Sequence, residues 1–417
     1  MLSVKTTVMP QAVTDVAAQL SAQQWSTRLN FFSLGFATAA WAPLVPFAQQ
    51  RLHLNHADFG LLLLCLGVGS MVAMPATGAL VQRVGCRVLI GFASLLMLAV
   101  LPSLTVWSTS LMMALSLFLF GVAAGSFGVA LNLQAVIVEK NSLRALMSGF
   151  HGMCSLGGLA GVLTMTALLA AGLAPVVGAL VISSLLLAIA IFAVPPCLDT
   201  IKQDDETDQQ ENEAERATAR QSSASHQSSK TGLRLPDPLI LMIGVMCFVA
   251  FLAEGAALDW SGIYLSSTHH VSTAYAGLGY TFFAITMTLG RFSGRYLLKS
   301  LGEKNIISYS AACAALGLVV VVTAPHWFIV LLGYALVGFG CSNIVPVMFS
   351  RVGRQRVMPK AAALSCVSSM AYTGVLCGPA LIGILGQLTS LTVMFSVVAA
   401  LLLSIAFFNR YTRVDPN

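Results

Sequence analysis

Residues 58–107, DFGLLLLCLGVGSMVAMPATGALVQRVGCRVLIGFASLLMLAVLPSLTVW, decide how this chain folds. Asp58 opens the stretch, and its only other charges are Arg83 and Arg87, four residues apart between two apolar runs. Each run, 58–81 and 88–107, has the ~20 residues that a helix needs to cross about 30 Å of hydrocarbon. A soluble helix turns a polar face to water, and neither run has one. The runs also lack the alternation of a barrel strand, and an open strand edge in lipid would leave backbone groups unpaired. The sequence therefore predicts two transmembrane helices joined by a short basic loop.

The same pattern extends outward over most of the chain. Hydrophobic residues make up 57% of it and charged residues 9%, far below the roughly 25% charged content of a soluble domain. Further apolar runs cover 29–50, 111–138, 145–170 and 176–195, then 238–265, 274–298, 306–324, 327–350, 361–386 and 390–409. The expected fold is thus an all-α polytopic membrane protein of 12 transmembrane helices, divided as a short segment 1–28, a six-helix bundle 29–197, a linker 198–236, a second six-helix bundle 237–410 and a tail 411–417. The segment before Arg28 lacks a basic region leading straight into a short apolar stretch and a cleavage site, so the first span is expected to act as its own insertion signal.

Charge sorting sets the expected orientation. With an even number of spans the two termini share a side, and the loops holding Arg83 and Arg87, Lys140 and Arg144, Lys299 and Lys304, and Arg351 to Lys360 share it with them. Of 22 Lys and Arg residues, Arg51 alone falls in an opposite loop. The positive-inside rule makes the basic side cytoplasmic, so both termini are expected there, in a bacterial inner membrane. The linker holds eight of the 16 acidic residues and almost no apolar side chains, which reads as a solvated tether. At its end Asp237 is placed to cap a helix whose first residue is Pro238. Asp58 reads in the same way as the cap of span two. The nine cysteines form no CxxC pair and read as small buried hydrophobes.

The two halves repeat. Gly60 and Gly78 bracket span two as Gly277 and Gly294 bracket span eight, and Gly157-x-x-x-Gly161 of span five recurs as Gly374-x-x-x-Gly378 of span eleven. These small-residue pairs, with Trp41 echoed by Trp260, point to a duplicated six-span unit and to close helix packing in lipid. The six-plus-six plan, and Gly78-x-x-x-Gln82-Arg83-x-Gly85-x-Arg87 between spans two and three, resemble the major facilitator superfamily. Gln82 stands where that family usually has an acidic residue, leaving Arg83 and Arg87 to hold the loop. Phe150-His151-Gly152, Ser155-Leu156-Gly157, Ala253-Glu254-Gly255 and Asp259-Trp260 further resemble a bacterial branch near the fucose permeases. The resemblance implies secondary transport by alternating access, with the halves rocking about a central site and a proton gradient as the driving force.

Candidate site residues follow from the cost of polarity in the spans. A carboxylate at the bilayer centre costs about 2.5–3.5 kcal/mol and is kept where it faces a cavity or a partner. Glu254, read in the outer half of span seven, is the main proton-coupling candidate, joined by Asp259 near the outer boundary and by His151 of span five, whose imidazole titrates near neutral pH. Glu254 and Asp259 lie about 140° apart around a regular helix and cannot both face the cavity centre. Asn132, Asn343, Trp41, Trp260 and Tyr372 are candidate solute contacts, each with helix packing as the plainer alternative. Gln82, Arg83, Arg87 and Glu139 are expected at a cytoplasmic gate, with Glu139 paired to a loop residue such as Arg83. Arg291, read as closing span eight toward the cytoplasm, is expected there too.

Enzyme chemistry lacks its motifs: there is no HExxH, GxSxG, phosphate-binding GxxxxGK[ST] or dinucleotide glycine fingerprint. His269-His270 has no third ligand nearby in sequence, so no metal site and no cofactor are expected. The expected partners are a small solute, protons and the lipid bilayer, with no nucleic acid and with a monomeric chain. Because the spans hold so little positive charge, the expected solute is neutral and sugar-like. Export of an amphipathic metabolite or drug is the alternative, and a non-transporting solute sensor of the same fold is a second.

Overall fold

A computed structural model describes residues 11–142, 146–199, 237–358 and 360–412. Most of the acidic linker, Arg144 and residues 413–417 of the tail lie outside the described residues. Among those described, all regular structure is helical. In the first half α1 (Gln11–Ala39) and α2 (Val45–Leu52) form span one, α3 (His56–Ser103) forms spans two and three, and α4 (Ser110–Ser142), α5 (Met147–Ala170) and α6 (Pro175–Ala193) form spans four to six. In the second half α7 (Pro238–Thr268) is span seven, a short α8 (Thr273–Ala276) leads into α9 (Leu278–Thr323), and α10 (Trp327–Cys341) with α11 (Ile344–Arg354) makes span ten. Spans eleven and twelve are α12 (Lys360–Leu388) and α13 (Leu391–Phe408).

Eleven described segments are long and apolar enough to cross a membrane, and one of them, Thr273–Thr323, runs to 51 residues. At 1.5 Å per residue that segment measures about 76 Å, more than twice the hydrocarbon thickness, so it must reverse. It does so at Gly302, whose φ of 74° and ψ of 160° leave the helix and divide spans eight and nine. Gly85 divides spans two and three with φ 81° and ψ 166°. That backbone region is essentially reserved for glycine. The two glycines are 217 residues apart, the offset of the repeat, so the duplication carries its turn geometry with it. Twelve crossings result, as the sequence predicts.

Local chemistry sets the remaining ends. Asp237 accepts a hydrogen bond from the Leu239 amide at 2.8 Å and caps α7 ahead of Pro238. The cap of span two is Asn55 and not Asp58: the Asn55 side chain accepts from the Asp58 amide at 2.9 Å and donates to its carboxylate at 2.8 Å. The first helix already runs at Gln11, the first described residue, well ahead of the apolar run, because residues 11–28 contain no glycine or proline to interrupt it. Arg51, the lone basic residue of the neutral loops, donates to the carbonyls of Leu104, Thr105 and Trp107 at 2.6–2.8 Å. Its charge offsets the negative end of span three, which explains its presence on a side otherwise without cations.

Inside each half, glycines let helix backbones touch. A methyl group added at Gly157 or Gly161 would collide with the carbonyls of Phe32 or Phe36 in span one, and one at Gly374 with the carbonyl of Phe248 in span seven. Spans two and four meet in the same way at Gly121 and Leu66, and spans eight and ten at Gly338 and Phe283, again 217 residues on. In lipid, where apolar side chains gain nothing by leaving the solvent, such contact is what holds helices together.

Between the halves, packing is close at the neutral end. A methyl at Gly60 would stand 2.6 Å from the Pro379 carbonyl oxygen, one at Gly262 2.8 Å from Pro46, and one at Gly277 2.7 Å from Pro43. The His56 amide donates to Gln387 at 3.1 Å, and the Trp260 ring meets His56 and Phe59 edge-on. Toward the basic end, among the described residues, span four packs on helices of its own half and so does α11, while a methyl at Gly152 of span five would stand 3.4 Å from Phe292 of span eight. The tightest contacts between the halves are thus those of the neutral end.

The two turn glycines predict unequal costs. Alanine at either forces a strained backbone worth about 1–3 kcal/mol, but at Gly85 the new methyl also strikes the Asp199 carbonyl, whereas at Gly302 nothing lies within 4 Å. Thermal unfolding in detergent should rank wild type above Gly302→Ala, and Gly302→Ala above Gly85→Ala. Equal losses at the two positions would remove Asp199 as a packing partner of the first turn.

Candidate functional site

Glu254 is the seventeenth of 31 residues in α7. About 24 Å of helix precedes it and about 21 Å follows, so it stands at the centre of the span and not in the outer half that the sequence reading gave it. Its carboxylate lies 3.7 Å from Nη2 of Arg291. Arg291 stands about 20 Å along α9 from Leu278, with about 15 Å still to run before Gly302. Expected at the cytoplasmic gate, it belongs instead to the midplane. Span eight extends beyond the apolar run 274–298, because the helix continues past Leu298 with polar residues before it turns at Gly302. Arg291 also donates from Nη1 to Ser155 Oγ at 3.2 Å, bridging from the second half to span five of the first.

Around this pair the polar groups converge. His151, one turn from Ser155 on the same face of α5, is exposed, with its ring edge-on to Phe31 at 5.1 Å. Tyr280 of span eight stands within electrostatic range of Glu254 and Arg291. A side chain at Gly255 would meet no atom within 4 Å, and the Arg291 side chain is 42% exposed, so the pair borders open space between the halves. Asn132 is exposed on span four, where its side chain donates to the Gly128 carbonyl of its own helix. Tyr372 is exposed on span eleven and stacks on Phe251 at 6.2 Å.

The other candidates lie elsewhere. Asp259 is 8% exposed, with no hydrogen bond or ion pair among the described residues. It sits a further ~7.5 Å along α7 from Glu254. Trp41 and Trp260 are wholly buried and their indole N–H groups are unpaired. The sealed neutral end encloses Trp260 between His56, Phe59 and the glycine contact at Gly383, so no aromatic floor is presented to a solute. Asn343 is also buried. It occupies the break between α10 and α11 and donates to the Gly290 carbonyl at 3.1 Å, tying span ten to span eight one residue from Arg291.

At the basic end the expected gate resolves into fastenings within each half. Arg87 pairs with Asp199 at 2.6 Å and donates to the Cys197 carbonyl at 3.1 Å. Arg83 is exposed, and the Gln82 side chain lies outside the described residues. Glu139 does not reach Arg83: one carboxylate oxygen accepts from the Leu146 and Met147 amides, both at 2.5 Å. It therefore satisfies the orphan donors at the start of span five. Gln134 is buried and joins span four to Thr27 at 3.0 Å and to the Leu198 amide at 3.3 Å. Its counterpart 217 residues on is Arg351, which donates to Glu303 at 2.6 Å, Asn409 at 2.7 Å and Thr412 at 2.6 Å. Arg354 binds the same Glu303. In both halves, then, the inner part of the fourth helix clasps the segment that follows the sixth. The repeat offset was the available sequence signal for this match.

Comparison with known proteins agrees with the fold. Residues 29–355 and 260–417 match the model of the Major Facilitator Superfamily. An uncharacterized MFS-type transporter of Yersinia pestis is 43% identical over 384 residues, covering 92% of this chain and 94% of that one. The membrane protein MosC of Rhizobium meliloti is 28% identical, covering 93% and 90%. Among solved structures, the nucleoside transporter NupG superposes with a TM-score of 0.72 at 13% identity, over 94% of this chain and 100% of that one. A D-xylose-proton symporter superposes at 0.70 and 13%, over 93% and 96%.

The role of Glu139 can be read from stability. Replacing a cap that satisfies backbone amides costs about 0.5–2 kcal/mol. Glu139→Ala should lower the unfolding temperature and Glu139→Gln, which keeps a carbonyl acceptor, should lower it less. A pair with Arg83 would give the opposite pattern, with both variants equally altered in transport and neither in stability.

Proposed function

The chain belongs to the major facilitator superfamily, and we propose that it is a proton-driven secondary transporter in which Glu254 takes up the proton and Arg291 is the group it releases. The observation that carries this reading is the Glu254 and Arg291 contact near the middle of spans seven and eight, partly exposed and reaching across the seam between the halves to Ser155. Ionised groups at that depth are held at a cost of several kcal/mol and persist where they do work or hold a partner. A contact of 3.7 Å is an attraction without a hydrogen bond, which proton transfer to Glu254 can break at little cost. Alternating access follows from the packing: glycine contacts make each half a stiff unit, so opening the neutral end means rotating one half against the other.

By the positive-inside rule the basic end faces the cytoplasm, which makes this the inward-facing state of an inner-membrane protein. His151 and Ser155 place span five at the site, and Asn132 and Tyr372 complete a polar lining. Asp259, enclosed by the neutral-end seal, is a second proton site reached when that end opens. The solute is small and hydroxyl-bearing, a reading supported by the resemblance of residues 150–157 and 253–260 to the fucose permease branch. The ground for expecting a neutral one, the lack of a cation in the spans, does not survive the position of Arg291.

In proteoliposomes with an imposed pH gradient, Glu254→Gln should insert and exchange solute across the membrane while losing proton-driven accumulation. Accumulation equal to wild type in that variant would sink the assignment, and binding without flux in the wild type would make the protein a sensor.

A further inference from the structure

Arg291 is an unusual residue to leave half-committed. A guanidinium carries five N–H donors in a planar fork, and among the described residues only the bond from Nη1 to Ser155 uses one. The Glu254 oxygen, at 3.7 Å, is too distant to take a second. The remaining donors have no hydrogen-bond partner among the described residues, and the side chain is 42% exposed. The fork matches a carboxylate, which accepts two parallel bonds from it.

Charge balance says when such a group binds. With Glu254 ionised the pair is neutral, and an incoming anion would meet the carboxylate already there. With Glu254 protonated, Arg291 is left as a net positive charge at the midplane, a state that a neutral solute does nothing to relieve. We infer that the transported solute carries one carboxylate, which binds the free donors of Arg291 when Glu254 takes up a proton. Proton and anion then enter together, and the charge of the site is zero before and after. This inference rests on the proposed proton uptake at Glu254 and adds the chemistry of what replaces it.

Other groups near the site do not supply the missing anion. Tyr280 and Arg291 come from span eight, Cys341 from span ten, His151 and Cys154 from span five, and Tyr372 lies one turn away on span eleven. None of these is a carboxylate. Asp259 lies on the same helix as Glu254, about 140° around it; it is buried and within electrostatic range of Tyr280, but among the described residues no ion pair joins it to Arg291.

Matched pairs of solutes test the inference on the purified full-length protein in detergent: gluconate against glucitol, glucuronate against glucose, and lactate against propane-1,2-diol, at equal ionic strength. A ligand of the folded state raises the unfolding temperature. At least one acid should raise it more than its uncharged partner, and the shift should grow from about pH 8 to about pH 6, where the acids stay ionised. The sign follows from linkage: protonation of Glu254 frees Arg291, so anion affinity rises as pH falls. In Glu254→Gln the acid shift should persist and lose its pH dependence. Arg291→Gln should lose it, and Arg291→Lys, which keeps the charge but not the fork, should weaken binding about tenfold. If no acid exceeds its neutral partner, or if a neutral solute stabilises wild type and Arg291→Gln alike, the carboxylate is wrong while proton-driven transport stands. Should acids bind as expected but Glu254→Gln still accumulate solute, the proton assignment fails and the anion site remains.

Discussion

An ionised side chain in hydrocarbon needs an opposite charge, water or a proton, and the organisation of this molecule follows from how each of its charges meets that need. Arg351 is buried yet surrounded by Glu303, Asn409 and Thr412. Arg51 spends its donors on the carbonyl end of span three. Glu254 has only Arg291, at a distance too long for a hydrogen bond, and Arg291 has beyond it a single bond to Ser155. Charges with full shells hold the fold together, and the pair without one is free to change partners.

Packing supplies the complementary constraint. Helices in lipid adhere through close contact, and here glycine at Gly157, Gly161, Gly121 and Gly338 brings backbone against backbone within each half. Contacts of that kind do not deform gradually, and between the halves they are gathered at the neutral end, at Gly60 and Gly383. The seam is where Arg291 reaches Ser155 and where the neutral end closes around Trp260. A polar site on such a boundary is rearranged by any change in the relation of the two units.

Much of this was legible in the sequence because the bilayer simplifies the code. Span length, loop charge and the 217-residue repeat follow from hydrocarbon thickness and duplication, and Glu254 stood out as a carboxylate with no reason to be where it was. Its partner was hidden: Arg291 is 37 residues away on another helix, and a reading of span eight that ended early moved it toward the loops. Trp41 and Trp260 misled for a different reason. An aromatic residue suits a solute floor or a helix seam equally well, and burial, which separates the two, is a property of the packed bundle. Glu139 seemed bound for Arg83 because charge attracts attention, whereas two backbone amides a few residues on made the nearer claim.

The paired clasps at the basic end are alike in place and unlike in material. In the second half a buried arginine does the fastening, shielded from solvent ions. In the first half the neutral Gln134 is backed by Arg87 and Asp199, whose side chains are 39% and 61% exposed and so open to screening. Glu303 and Arg354 of the second half are themselves 32% and 55% exposed, so screening reaches the ion pairs of both fastenings. What salt leaves in place is the buried member of each, the amide of Gln134 in one half and the guanidinium of Arg351 in the other, so duplication has kept a screened and a shielded part in either clasp.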